Sequence, residues 1–191
     1  GYRRPDGKAG IRNKVLILPT CVCSSETCRI VADQVEGAIY TSNQAGCSEV
    51  EQNLKICYDM YSGFAANPNI YGTVLIGLGC EGCTPDKMAD AIREKTNKPL
   101  AVVVIQDEGG TVNAINKAVK YAREFVQEAS LVQKEEIPLS ELFIGLECGG
   151  SDATSGLAAN PVVGKVSDLV VDNGGSAVMS ETTEFIGAEH I

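Results

Sequence analysis

Cysteines and acidic residues follow three apolar segments of this sequence, and each time a glycine- or serine-rich stretch comes next. The segments read VLILPTCVCSSET (15–27), VLIGLGCEGCTPD (74–86) and LFIGLECGGSDATSG (142–156). Thiolates and carboxylates from several loops are the ligands that a transition metal or an iron–sulfur cluster takes. Glycines allow the backbone to approach a bound species closely. We therefore expect these segments to share one metal-binding edge.

The residues expected at that edge are thiols with acids beside them. They are Cys21, Cys23, Cys47, Cys80, Glu81, Cys83, Glu147, Cys148 and Asp152. About half of the eight cysteines could instead pack as small apolar residues, and Cys57, inside a helical pattern, is the best case. CEGC has no second C-x-x-C pair at zinc-finger spacing, so zinc is not indicated. With His190 as the single histidine, a Ser–His–Asp triad within the chain is not expected.

The glycines of the second segment support a different interpretation. Gly77, Gly79 and Gly82 have the G-x-G-x-x-G spacing of a dinucleotide-binding turn between a strand and a helix. Asp107 is only loosely placed as the acidic partner of that motif, and Glu81 inside the loop would repel a pyrophosphate. Nucleotide binding therefore ranks second.

Alternating strands and helices must position these loops. Six continuous apolar runs predict strands that are buried on both faces, at Val15–Leu18, Ala38–Thr41, Thr73–Leu78, Ala101–Ile105, Leu142–Leu146 and Ser176–Met179. Helical patterns lie between them, at Glu26–Glu36, Glu49–Ala65, Asp86–Thr96, Thr111–Ala129 and Val162–Val171. The order predicts an α/β fold with a parallel sheet, whose functional crevice lies beyond the carboxyl ends of the strands.

The alternation also predicts three Rossmann-like βαβα modules, near 14–66, 71–130 and 141–191. We expect them to form one α/β domain over 1–191. The third module looks truncated, because SETTEFIGAEHI opens a helix without a C-cap. We therefore expect a fragment of a longer chain.

The composition of the chain limits the kinds of partner that it can bind. The net charge is −9, which argues against nucleic acid and anionic membranes. No stretch approaches the roughly 18 apolar residues of a membrane helix, and the first residues lack the apolar region of a signal peptide. Free thiols in such a chain are more typical of the cytoplasm than of a secreted disulfide scaffold.

The first residues, GYRRPDGKAGIRN, are basic in an acidic chain. A solvated arm is the simplest interpretation of each charge. Taken together, arginines such as Arg3 and Arg12 suit bidentate capture of a substrate carboxylate. Asn13 and the pair Ser151 and Asp152 could bind substrate hydroxyls.

Three motifs resemble the altronate/galactarate dehydratase family of sugar-acid hydro-lyases, which includes the large chain of the sulfolactate sulfo-lyases. They are GYRRPDGKAGIRN, GLGCEG and GLECGGSDATSGLAANPVVG, and the similarity covers essentially the whole chain. In that family this region follows a small N-terminal domain and precedes a further C-terminal portion. The resemblance thus implies those domains, or a small partner subunit, as partners, and we expect a homo-oligomer.

The resemblance implies a β-elimination in which water leaves a polyhydroxy acid to give a 2-keto-3-deoxy acid. It implies iron, as Fe²⁺ or a cluster, or another divalent metal, and its cysteine positions correspond to Cys23, Cys47, Cys80 and Cys148. Glu81 and Glu147, beside those thiols, are the candidate bases, although solvated strand-end acids are an equal interpretation. The competing hypothesis is a non-catalytic α/β module that binds a nucleotide or assembles subunits, with its cysteines buried.

Overall fold

The computed structural model describes residues 1–150 and 152–190, and it divides into two compact units, Gly1–Glu135 and Glu136–Ile191. The prediction of one domain over 1–191 stays a prediction.

The first unit contains ten elements. In chain order they are β1 (Tyr2–Arg3), β2 (Ala9–Gly10), β3 (Lys14–Pro19), α1 (Val22–Asp33), β4 (Ala38–Tyr40), α2 (Glu51–Ala66), β5 (Ile70–Gly77), α3 (Pro85–Lys95), β6 (Leu100–Val104) and α4 (Thr111–Leu131). The short strands β1 and β2 form an antiparallel pair. The other four strands form a parallel sheet in the order β4-β3-β5-β6.

The central strands β3 and β5 are buried almost throughout because helices cover both faces of the sheet. Val15 and Ile17 belong to one apolar cluster, which includes residues of α1 and α4. Leu16 and Leu18 point to the opposite face, into a cluster with residues of α2 and α3. Alternate residues of one strand thus build two cores, and the result is a three-layer α/β/α unit.

The described residues of the second unit form two strands and one α-helix. Its elements are β7 (Phe143–Leu146), a π-helical turn (Ser155–Ala159), α5 (Asn160–Asp172) and β8 (Ser176–Met179), with 3₁₀ turns at Leu139–Glu141 and Thr182–Phe185. Strands β7 and β8 pair in parallel. Within the described part of this unit, no residue is fully buried.

The sequence patterns located the elements well. All six predicted strands and all five predicted helices are present, with shifts of a few residues at their ends. Burial on both faces is confirmed for β3 and β5 but is wrong for β4, β7 and β8, which have exposed residues. The α/β class and the parallel sheet are also confirmed. The three Rossmann-like modules are not, because the described strands of the third region form a separate two-stranded sheet. No helix in the described ranges has the length and apolar character needed to cross a membrane.

Candidate active site

The crevice of the first unit lies where the order in which successive strands join the sheet reverses. Strands β3 and β5 are neighbours, while the chain continues from β3 to β4 on one side and from β5 to β6 on the other. Ligands of open α/β sheets bind beyond the carboxyl ends of the strands at such a point. Three loops meet there, and we name them by their cysteines: the Cys23 loop (residues 20–23), the Cys47 loop (residues 41–50) and the Cys80 loop (residues 78–84).

Hydrogen bonds tie the Cys47 loop to both of the others. The fully buried Asn43 side chain donates to the Thr20 carbonyl at 3.0 Å, and Val22 N–H donates to the Ala45 carbonyl at 3.1 Å. On the other side, Cys83 N–H donates to the Gly46 carbonyl at 2.8 Å. The three loops therefore form one hydrogen-bonded platform.

Two glycines let the backbones of this platform approach closely. Gly46 has a φ of +89°, and a Cβ there would collide with the Thr20 carbonyl oxygen. A Cβ at Gly77 would collide with Pro85 and approach Glu81. Both positions therefore require glycine for space, and Gly46 also requires it for conformation.

The cysteines separate into two groups by exposure. Cys21, Cys28, Cys57 and Cys83 are buried, and Cys23, Cys47, Cys80 and Cys148 are exposed. The proposal that all cysteines are buried is therefore wrong, whereas the expectation that Cys57 packs in the core is confirmed. Burial raises the pKa of Cys83 to about 12 and raises that of Cys28 well above its usual range, so these thiols stay protonated at neutral pH.

Three of the exposed thiols lie near one another on the platform. The pKa of Cys23 is raised, first by the neighbouring Cys21, then by partial desolvation, and further by Cys47 and Cys80. Such coupling requires short separations. Thiolate donors suit iron–sulfur clusters and soft or borderline metal ions, among which Fe²⁺ is borderline. Among residues 1–150 and 152–190, however, no three His, Cys, Asp or Glu side chains are arranged to hold a metal ion as they stand. The donor chemistry fits a metal, and a complete ligand set needs loop movement or further donors.

Glu81 lies inside the platform. Its carboxylate accepts hydrogen bonds from Thr20 Oγ1 at 2.5 Å, Leu78 N–H at 2.8 Å and Gly79 N–H at 2.6 Å. Burial alone would raise its pKa, but the bonds from Thr20 and from the backbone outweigh burial and lower the pKa. Glu81 thus joins the Cys23 loop to the Cys80 loop as a carboxylate.

The same contacts bear on the glycine motif. A dinucleotide turn offers free backbone N–H groups to a pyrophosphate. Here the N–H groups of Leu78 and Gly79 donate to Glu81. The arrangement argues against nucleotide binding at this loop.

Three predicted site residues lie in the described part of the second unit. Glu147 and Cys148 are exposed and follow β7 directly, and Cys148 N–H donates to the Glu181 carboxylate at 3.0 Å. Asp152 accepts N–H bonds from Thr154 and Ser155, as a helix-capping residue does. The Thr154 hydroxyl and these N–H groups lower the pKa of Asp152. Ser151 lies outside the described residues.

Arg3, Arg12 and Asn13 lie at the amino end of the sheet in the first unit. Asn13 immediately precedes β3, and Arg12 N–H donates to Asn69, just before β5. Arg3 pairs with Glu135 at 2.8 Å. The length of β3, about 3.3 Å per residue, separates this end from the exposed thiols by roughly 20 Å. Their prediction as substrate ligands stays a prediction, but they do not meet the thiols of their own unit.

Sequence reasoning missed the residues that assemble the platform. Thr20 and Asn43 are fully buried, and both make their bonds between loops that are distant in sequence. Glu181, with a φ of +60°, lies 33 residues from the Cys148 it contacts. A polar residue just after a predicted parallel strand, as Thr20 and Asn43 are, is the available signal.

Comparison with known proteins matches two family descriptions. Residues 1–130 match the second domain of D-galactarate dehydratase/altronate hydrolase, and residues 139–191 match the C-terminal part of D-galactarate/altronate dehydratase. The boundary between the matches falls close to the boundary between the two units.

Three curated relatives support the match. The (2R)-sulfolactate sulfo-lyase subunit beta of Chromohalobacter salexigens is 37% identical over all of this chain and 48% of its own length. The altronate dehydratase of Bacillus subtilis is 32% identical over the whole chain and 40% of its own length. The galactarate dehydratase (L-threo-forming) of Escherichia coli is 39% identical over 65% of this chain and 25% of its own length. The chain spans about half or less of these relatives, and it belongs to the galactarate/altronate dehydratase family.

Proposed function

We propose that this chain is part of a lyase that removes water from a sugar acid of the altronate or galactarate type by β-elimination, giving a 2-keto-3-deoxy acid. The observation that carries this proposal is that three exposed thiols, Cys23, Cys47 and Cys80, follow the carboxyl ends of three strands of one parallel sheet. Family membership supplies the reaction class, since the relatives are named dehydratases and a sulfo-lyase.

We propose Cys23, Cys47, Cys80 and Cys148 as the ligands of iron, as Fe²⁺ or a cluster, with another divalent metal as the alternative. A metal held there would supply the Lewis acid that binds the departing oxygen. The hydrogen-bonded platform supports this role because it fixes the backbones on which three of the thiols stand. Thiols lose their protons when they bind a metal, so uptake should release protons.

Proton abstraction beside the substrate carboxylate needs an accessible base. Glu147 is exposed and follows a strand directly, which supports its proposed role as that base. Glu81 is also a predicted base, but its three hydrogen bonds favour holding the Cys80 loop in place. Asn13, Ser151 and Asp152 remain the proposed ligands of substrate hydroxyls. Arg3 and Arg12 remain the proposed ligands of the substrate carboxylate.

Further domains of the same enzyme or a small partner subunit complete the proposed assembly. The match to only part of each relative supports this, as does the word subunit in the name of one of them. A homo-oligomer in the cytoplasm belongs to the same proposal.

The test is metal content after anaerobic purification, measured by inductively coupled plasma mass spectrometry. We expect iron in stoichiometric amount in the wild type and its loss in Cys80→Ser and Cys148→Ser. Cys57→Ala is the matched control, because Cys57 lies on the buried face of α2 and removal of its thiol should leave the metal in place.

Activity is measured on the same samples with altronate and with galactarate, by the 2-keto acid product. Circular dichroism shows whether each variant is folded. Unchanged iron content in folded Cys80→Ser and Cys148→Ser would remove these thiols as ligands. A metal-loaded enzyme that converts neither sugar acid would reject the proposed substrates.

A further inference from the structure

A cavity opens in the first unit at the amino end of the four-stranded sheet, opposite the crevice described above. Its volume is about 480 Å³, within the usual range of small-molecule sites. Arg4 and Lys98 lie in its wall, together with Tyr71, Pro99 and Val132. The cavity therefore combines two cations with apolar and aromatic surface.

Arg4 is buried, with only 4% of its surface exposed. Its guanidinium donates to the Pro68 carbonyl at 2.6 Å, to Asn13 Oδ1 at 2.8 Å and to the Arg12 carbonyl at 2.9 Å. All three acceptors are neutral. A guanidinium has five N–H donors, so two are not used by these bonds.

Lys98 is also buried, with 7% of its surface exposed. Its ammonium donates to the carbonyl of Asn67, the C-cap residue of α2, at 2.7 Å and to the carbonyl of Ile70, the first residue of β5, at 3.0 Å. One of its three N–H donors is left over. Burial, followed by the charge of Arg4, lowers the pKa of Lys98 to about 8.

Two buried positive charges thus lie close enough to repel each other. In the described ranges, 1–150 and 152–190, neither forms an ion pair with a carboxylate. Asp6 attracts both charges, but it is exposed and lies beyond ion-pair distance. Arg4 also lies over the Tyr2 ring, 5.8 Å from its centroid. The carbonyl oxygens, this ring and the dipole of α2 compensate only part of the desolvation of two cations.

A purely structural role would explain the carbonyl contacts but not the rest of the arrangement. Capping the end of α2 needs one cation, and a neutral donor would satisfy the same carbonyls. Here two like charges, with unused donors, line one cavity. Arg3 also lines the cavity, and its guanidinium pairs with Glu135.

We propose that this cavity binds a small organic oxyanion, a phosphate monoester or a carboxylate, with its charged group between Arg4 and Lys98. The body of the ligand would lie against Tyr71, Pro99 and Val132. An anion there neutralises both cations and takes up their unused donors. The site lies at the opposite end of the sheet from the thiols, so it does not depend on the proposed elimination.

The test is isothermal titration calorimetry with glycerol 3-phosphate, with D-glycerate and with neutral glycerol, all at equal ionic strength. We expect one or both anions to bind and glycerol not to bind. Lys98→Met should weaken binding about tenfold or more, because a charge-assisted hydrogen bond is lost. Lys120→Met is the matched control: it removes the same charge from an exposed position on α4 and should leave binding unchanged.

Lys98→Met also loses two carbonyl contacts, so folding is checked by circular dichroism. If that variant does not fold, Val132→Asp takes its place, since it puts a carboxylate on the cavity wall and should block binding. The two anion titrations distinguish a phosphate site from a carboxylate site. No binding of either anion to the wild type, or equal affinity in the Lys98 and Lys120 variants, would overturn the proposal.

Discussion

The Glu81 carboxylate is a buried charge whose hydrogen bonds all come from the two loops that it joins. It accepts from Thr20 of the Cys23 loop and from Leu78 and Gly79 of its own loop. Hydrogen bonds to a buried charged group stabilise a protein more than neutral ones do. At the level of single residues, Glu81 therefore contributes mainly to holding the platform together.

Glu81→Gln should lower the free energy of unfolding by about 2 kcal/mol at pH 7, the range for losing hydrogen bonds to a charged group. The replacement amide keeps one oxygen acceptor but turns its NH2 group towards a backbone N–H, that of Leu78 or that of Gly79, which then loses its acceptor. Urea denaturation followed by circular dichroism measures the change. Glu147→Gln is the control, because Glu147 is exposed and its replacement should shift the free energy by about 0.5 kcal/mol or less.

The effect of Glu81 should also depend on pH. Its pKa is lowered in the folded state, so its contribution is fully present above the ordinary value of about 4.3 and is lost as the pH falls through the lowered pKa. The difference between wild type and Glu81→Gln should therefore shrink below about pH 4. A difference that is absent at pH 7, or that grows in acid, would contradict a role for the charged form.

At the level of elements, the loops of the platform depend on backbone contact as well as on side chains. Gly46 illustrates this, because it combines a positive φ with direct approach to Thr20. An L-residue there meets both a strained conformation and a collision with backbone, which does not yield as a flexible side chain would.

Gly46→Ala should destabilise the protein by about 2 kcal/mol or more, through strain and the displacement of Thr20. Gly63→Ala is the matched control: Gly63 lies within α2, and nothing lies within 4 Å of an added Cβ. That control should stabilise by about 0.5–1 kcal/mol, because alanine favours a helix. Urea denaturation of both variants measures the pair of opposite shifts, and equal shifts would contradict the close approach at Gly46.

The elements themselves were predictable because hydrophobic periodicity is a local signal. Val15–Leu18 reads as a buried strand without any knowledge of its neighbours, and it lies within the observed β3. The two-residue strands β1 and β2 are too short to show a period, so the hairpin at the start was not predicted. The contacts among Thr20, Asn43 and Glu81 join loops distant in the chain, and no local pattern encodes them.

The sequence also predicted part of the candidate site. The rule that ligands collect at the carboxyl ends of parallel strands predicts Cys23, Cys47, Cys80 and Cys148 at one edge. The first three follow β3, β4 and β5 of one sheet, whereas Cys148 follows β7 of another, and metal binding by the four stays a prediction. The rule does not predict how far each side chain is buried. It therefore did not distinguish Glu81, which is buried, from Glu147, which is exposed. Burial depends on how closely the loops pack, which is a property of the folded chain.

At the level of the whole molecule, the two units differ in how much apolar surface they bury. The first unit has two apolar clusters, one on each face of its sheet. The second leaves large apolar side chains exposed on both of its strands and on α5, with Phe143 65%, Val178 48% and Leu169 64% exposed. Folding relies on removing apolar surface from water. The first unit buries enough apolar surface between its own elements, whereas the second unit does not.

We therefore expect residues 1–135, expressed alone, to fold cooperatively, and residues 136–191, expressed alone, not to fold. The first fragment should show one sharp urea transition with a native-like circular dichroism spectrum. The second is a 56-residue peptide with two paired strands and one helix, below the size and burial at which a single core becomes stable. It should show a broad, non-cooperative change and bind a dye specific for exposed apolar surface. A sharp unfolding transition of 136–191 by itself would mean that its exposed apolar residues pack together in solution, and the division of stability between the two units would then be wrong.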